Sequence, residues 1–336
     1  MPSTIKDVAK LAGVSPSTVS RVISNSSRIS DATKTRVYEA MKVLNYKPNI
    51  IARSLANKST KTLGLILPDT DEHNALNPFF IQLMRGVSFY AQKRGYYILY
   101  AYASEGQDRL SVVQDMIDSR WVDGIILANS ESEDSAIEYL KKIEKPFVVV
   151  GRPQEKDDIL WVDNDNFHAM YEVVNRLIRR GNKHIAFIGG SSNYTVTRDR
   201  FDGYKLALEN RGIQIEEDLV VYTDFDEDHG YEAAKKILEN YHVDAFATTD
   251  DLLAFGALKA LKFLKKGKMD VVGFNNTLLA EYFKPTLSSV DIRSEELGHH
   301  AAKLLIDYLN NEERKLYNYI VDTAFIERES TTYKKP

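Results

Sequence analysis

At 336 residues with 43% apolar side chains, the chain is long enough for two or three domains with well-buried cores. It has no cysteine, which excludes disulfides, thiolate metal sites and cysteine nucleophiles, and it has no window apolar enough to span a membrane. The net charge of −4 is unevenly spread: residues 1–60 hold ten Lys or Arg against Asp7, Asp31 and Glu39, a surplus of seven, which leaves residues 61–336 at −11.

A basic head on an acidic body is the pattern of a polyanion-binding module joined to something else. The first residues carry Lys6 and Asp7 and lack the apolar stretch of a signal peptide, so the expected address is the cytoplasm.

In the head, Ile5, Val8, Ala9 and Ala12 recur at helical spacing, and Thr4 with Asp7 makes a capping-box signature. Gly13 breaks this helix. Ser15 can cap the next one, with Pro16 at the first helical position, where its missing N–H does no harm. The second helix has a buried stripe of Val19, Val22 and Ile23, which turns Ser17, Thr18, Ser20, Arg21 and Ser24 outward. A third, after Ser30 and Asp31, shows Val37, Ala40, Met41 and Leu44.

Two helices around a glycine turn, the second with small hydroxyls and an arginine outward, form a helix-turn-helix suited to the major groove. Ser15, Pro16, Ser17, Thr18 and Asn25 allow close approach to DNA, and Arg21 can contact a guanine with two donors. The segment "NYKPNIIARSLANK" (45–58) follows a proline break with a short helix-like repeat. Alone in water such a helix is marginal. It fits a hinge helix that folds on DNA, with Leu55 as an apolar minor-groove wedge, and it fits a plain linker equally well.

"TIKDVAKLAGVSPSTVSRVI", "YKPNIIARSLA" and the late "IERES" closely resemble the LacI/GalR family of bacterial transcription regulators, from about residue 4 to about residue 331. The resemblance implies a homodimer on a palindromic operator DNA. It places Ser17, Thr18 and Arg21 at base-reading positions and Asn49, Ala52, Arg53 and Leu55 at hinge contacts.

From Lys61 the chain alternates apolar runs ("TLGLIL", "YYILYAY", "VDGIIL", "PFVVVG", "HIAFIGG", "LVVYTD", "DAFATT", "DVVGF") with helix-length segments, which is the rhythm of a parallel α/β sheet. Its length suits two doubly wound lobes. The pattern restarts near Trp161, and a helix from Ser294 to Leu309 with a strand around Tyr319–Val321 looks like a return crossing. The expected organisation is a helix-turn-helix domain (1–46), a hinge (47–60) and an effector-binding and dimerisation body (61–336), resembling the type I periplasmic-binding-protein fold. Its N-lobe would be about 61–161 and 292–321, and its C-lobe about 162–291 and 322–336.

Ligands of open α/β sheets bind beyond the carboxyl ends of the strands. Those ends supply Asp69, Asn129, Arg152, Asp163 to Asp165, Ser191 to Arg200, Asp224, Phe225, Asp250 and Asn275, with Phe79, Phe80 and Tyr194 at hand. Planar hydrogen-bonding groups and aromatic faces suit a neutral polyhydroxylated ligand such as a sugar, although core packing explains any single aromatic as well. By family motif, Arg200 and Asp250 fall on effector positions. "GFNN" departs from the family's usual aspartate after the aromatic, which leaves open which hydroxyl Asn275 contacts.

Catalysis finds no support. Asp250 and Asp251 are neighbours that point apart. "DFDED" (224–228) starts like a calcium loop but meets His229 and Lys235 where glycine and glutamate belong, and the adjacent His299 and His300 lack metal-ligand spacing. No metal or cofactor is expected.

The loop "DEHNALNPFF" (71–80), with the head motif, resembles the maltose-operon repressors of Gram-positive bacteria and points to maltose or a malto-oligosaccharide as inducer. The competing expectation is a catabolite-control regulator aided by a phosphorylated carrier protein. Glu295, Glu296 and Asp307 against Lys303 alone make the helix after Ser294 a poor dock for such a partner. No leucine heptad follows Glu329, so a dimer rather than a tetramer is expected.

Overall fold

The computed structural model describes residues 3–24, 26–47, 59–68, 77–103, 107–154, 158–312 and 317–332. The chain forms two compact units, residues 1–60 and 61–336.

The first unit holds α1 (Ile5–Ala12), α2 (Pro16–Ile23) and α3 (Asp31–Val43). The backbone N–H of Thr4 donates to Asp7 Oδ2 at 2.8 Å, satisfying one of the donors left over at the start of α1. Gly13, at φ +64°, takes the left-handed conformation that ends α1. Ser15 then caps α2 by accepting the Thr18 N–H at 3.2 Å. Val8, Val19, Val22 and Val37 are fully buried at the centre, while Ile23 is only partly covered.

In the second unit β1 (Thr62–Ile66), β2 (Tyr97–Ala101), β3 (Gly124–Leu127), β4 (Phe147–Val150), β5 (Leu160–Asn164) and the late β11 (Asn318–Val321) make one parallel sheet in the order β11-β5-β4-β3-β1-β2. A second sheet, β12-β10-β9-β8-β6-β7, uses β6 (Ile185–Gly189), β7 (Val220–Tyr222), β8 (Ala245–Thr248), β9 (Asp270–Phe274), β10 (Ser288–Asp291) and β12 (Ala324–Ile326). Only β12 runs antiparallel in it. The central strands β3, β4, β8 and β9 are buried along their whole length, which is why they appear in the sequence as largely apolar runs.

Helices α4 (Pro78–Lys93), α5 (Arg109–Asp118), α6 (Ser135–Lys142) and α12 (Ser294–Leu309) belong to the first lobe. Helices α7 (Asn166–Arg179), α8 (Thr195–Glu209), α9 (Glu227–Asn240), α10 (Asp251–Phe263), α11 (Leu279–Tyr282) and α13 (Glu329–Thr332) belong to the second. The chain therefore crosses between lobes three times: after β5, between β10 and α12, and between β11 and β12. β5 stays in the first sheet as far as Asn164, beyond the expected lobe limit at residue 161.

Helices α4 and α12 touch backbone to backbone through glycine. A Cβ on Gly86 would stand 2.0 Å from Glu295 O, and one on Gly298 would stand 2.2 Å from Leu83 O. Gly298→Ala must push the helices apart and is expected to cost about 1–3 kcal/mol, read as a lower urea midpoint of the full-length protein. An unchanged midpoint would show that the crossing can relax at no cost.

Candidate DNA-reading face and effector cleft

On the head, Ser15, Pro16, Ser17 and Arg21 are exposed on one end and side of α2, and Thr18 is half-buried. Ser15 Oγ lies 2.8 Å from Ser17 Oγ and 2.9 Å from Thr18 Oγ1, so the helix start presents a compact row of hydroxyls with the Arg21 guanidinium one turn on. Lys6, Lys10, Arg28, Arg36, Lys42 and Lys47 are exposed on the same unit and supply its positive charge. Asn25, Asn49, Ala52, Arg53 and Leu55 lie outside the described residues, as does Asp69 of the body.

In the body, the carboxyl ends of the two sheets face each other across a cleft. Its space is about 1000 Å³ counted with the solvent at the mouth. Phe79, Phe80, Tyr194, Arg200, Phe225, Asp250 and Asn275 all line it, joined by Asn77, Asn129, Asp163, Asn166 and Thr249. The Phe79 and Phe80 rings meet edge to face at 4.9 Å, and Tyr194 lies 5.9 Å from Phe225 across the second lobe's rim.

Polar contacts tie the floor together. Arg200 is 4% exposed; its Nε donates to Asn166 Oδ1 at 2.9 Å, Nη1 donates to Thr249 O, and the guanidinium lies 4.1 Å over the Phe274 ring. Burial draws its pKa down to about 10 against the opposing pull of Asp250 and Asp163, so it stays charged. Asp250 caps α10 by accepting Leu252 N–H at 2.7 Å, and it accepts amide protons from Asn275 at 2.7 Å and Asn77 at 3.0 Å. Burial lifts this carboxyl to about 6 against those three donors and Arg200, so near neutral pH it is an anion ringed by donors.

Two expected residues are placed elsewhere. Asp165 is exposed at the start of α7, where it accepts the His168 N–H at 3.0 Å, and it does not line the cleft. Arg152 does not line the cavity; its guanidinium lies 5.6 Å over the Trp161 ring, and Nε is buried without a hydrogen-bond partner.

Asn77 and Asn166 escaped the sequence reading, though Asn77 stands directly before Pro78, the signature of a helix cap, and does accept Phe79 N–H at 3.0 Å. The Asn77–Asp250 bond joins the two lobes on one side of the cleft. On another side, Ser132 N–H and Oγ donate to Asn193 O at 3.0 and 2.9 Å, and Thr195 N–H donates to Ser130 O at 3.2 Å.

Asp251, fully buried, holds the loop that carries Asn275. Ser289 Oγ donates to one oxygen at 2.6 Å and Thr277 N–H to the other at 2.7 Å. Asn275 and Asn276 there adopt φ +98° and +48°.

A helix-turn-helix head on a two-lobed α/β body with a ligand-sized cleft is the architecture of a ligand-responsive DNA-binding regulator. Residues 4–49 match the model for bacterial regulatory proteins of the lacI family, and residues 174–331 match that for a periplasmic binding protein-like domain. The chain is 38% identical over 336 residues to the HTH-type transcriptional regulator MalR of Streptococcus pneumoniae, covering 98% of this chain and 100% of that one.

Among solved structures, the transcriptional regulator CelR–cellobiose complex superposes with a TM-score of 0.76 at 30% identity, covering 98% of this chain and 99% of that one. The lac repressor dimer bound to operator and the anti-inducer ONPF shares the fold, with a TM-score of 0.84 at 23% identity over 98% of this chain and 99% of that one. The chain belongs to the LacI family of bacterial regulatory proteins. It is a transcription regulator and not an enzyme. Among the described residues no helix is long and apolar enough to cross a membrane.

Burial raises the Asp251 carboxyl from its ordinary 3.8 to about 7 despite the Ser289 and Thr277 donors. An acid with a raised folded pKa holds its proton more tightly folded than unfolded, so its cost is absent below the unfolded value, grows as pH rises, and is complete above about 7. The stability of the wild type relative to Asp251→Asn is therefore expected to fall between about pH 5 and about pH 8, measured by urea unfolding at both. A difference that does not change with pH would contradict the assignment.

Proposed function

We propose that the protein is a repressor of a carbohydrate-utilisation operon, binding a palindromic operator as a homodimer and released by maltose or a short malto-oligosaccharide. The observation that carries the reading is the cleft's chemistry. One ionised carboxylate is surrounded by amide donors, the only guanidinium among the described lining residues is already engaged with Asn166 and Thr249, and four aromatic rings stand at the rim. Such a site recognises hydroxyls and the apolar faces of sugar rings and offers little to a phosphate.

The likeness to MalR regulators and to a regulator solved with cellobiose, a disaccharide, supports the same class. For the dimer, support comes from apolar side chains left in water: Ile81 and Phe89 of α4 and Tyr97, Tyr100 and Tyr102 of the edge strand β2 and its end are all exposed. In α12, Glu295 pairs with Arg85 at 3.6 Å and Lys303 pairs with Asp307, and this acidic balance makes the helix a poor dock for a phosphorylated carrier protein.

Base reading by Arg21 makes Arg21→Ala cost about 1–3 kcal/mol on the specific operator and far less on random DNA, as fluorescence anisotropy reports. Equal losses on both would reduce Arg21 to a phosphate contact.

For the effector, titrating the protein–operator complex with maltose, maltotriose, glucose and sugar phosphates is expected to release DNA with the maltodextrins. Arg200→Ala is expected to bind operator normally and ignore them. Release by a sugar phosphate alone would overturn the maltose assignment.

A further inference from the structure

At the end of the second sheet opposite the cleft, β6 and β8 enter side by side, with Ile185 in register with Ala245. The residues just before these strands bring together His184, His242 and Asp244, which no motif in the chain connects. One candidate ligand atom from each lies within 4.8 Å of the other two.

His242 Nε2 is 3.4 Å from Asp244 Oδ1. Two ligands bound tetrahedrally to one ion at the bond lengths of zinc stand about 3.4 Å apart, so this pair needs almost no rearrangement. The carboxylate is already aimed: its Oδ2 accepts the backbone N–H groups of Lys183 at 2.9 Å and His184 at 3.0 Å, which leaves Oδ1 for His242. The imidazoles of His184 and His242 meet edge to face at 4.8 Å rather than stacking. His184 Nδ1 lies 2.7 Å from Glu216 Oε1. A proton held on Nδ1 by that carboxylate leaves the lone pair on Nε2, the arrangement by which a second carboxylate orients a metal-binding histidine.

We propose that His184, His242 and Asp244 form a divalent transition-metal site, with Glu216 orienting His184 and water completing the coordination. Two imidazoles and one carboxylate select zinc-like ions over calcium or magnesium, which prefer all-oxygen sites. An ion there would clip the α7–β6 connection to the α9–β8 connection and stabilise the second lobe by mass action.

The test uses full-length, tag-free, chelator-treated protein titrated with Co²⁺ alone and with Zn²⁺ alone. The expected result is one ion per chain, a Co²⁺ visible spectrum displaced by Zn²⁺, and a zinc-dependent rise in unfolding temperature. His242→Ala, at an exposed position, should keep its fold and lose this uptake. Glu216→Gln should weaken it about tenfold. His229→Ala is the control, because His229 also has carboxylate neighbours, Asp224 and Asp226, but no second imidazole; it should bind as the wild type does. No stoichiometric uptake, uptake unchanged in His242→Ala, or uptake lost in His229→Ala would each overturn the proposal.

Discussion

The body depends on one side chain where its lobes join. Asn164 ends β5 at the first crossing, is almost completely buried, and uses its amide to donate to Ile292 O at 3.0 Å on the second crossing and to Val321 O at 2.8 Å at the third. Both amide protons are spent on backbone carbonyls of the other two crossings, so the crossings are held as a unit. Three tied strands of backbone resist sliding and leave hinge and twist motions, in which the strand ends on either side of the cleft approach or separate.

That constraint gives the cleft its leverage. Asn77 comes from the first lobe, while Asp250 and Asn275 come from the second, and the Asn77–Asp250 bond exists only when the lobes are close. A ligand hydroxyl that replaces or extends this bond changes the relative free energy of lobe arrangements by its differential affinity and by no more. The buried charges fit this role: Asp250 and Arg200 are both buried and held by hydrogen bonds to Asn77, Asn275, Leu252, Asn166 and Thr249, so the site's polar groups are positioned by the protein itself.

Features that depend on near neighbours in sequence were legible. The head's helices follow from apolar spacing, Gly13 and the Ser15–Pro16 start, and strands such as β3, β4 and β9 follow from apolar runs, because both signals are local. What escaped notice depends on distant partners. β10, "SSVD", is held through Ser288 and Ser289, whose hydroxyls bond to Thr331 and Asp251, so it lacks an apolar run. A position just after a strand suggests Asp165 as a ligand residue, but the fold leaves it exposed at the start of α7 and outside the cleft lining. Arg152 likewise follows a strand but lies over Trp161. His184 and His242 meet only because β6 and β8 are neighbours, which no spacing rule reveals.

The central claim is that cleft and DNA-binding head are coupled, and coupling is reciprocal. The most direct test is calorimetric titration of maltose into the full-length protein, first free and then saturated with operator. The account predicts that operator weakens maltose binding by the same factor by which maltose weakens operator binding. Equal maltose affinity in the two titrations, with operator still bound, would contradict it.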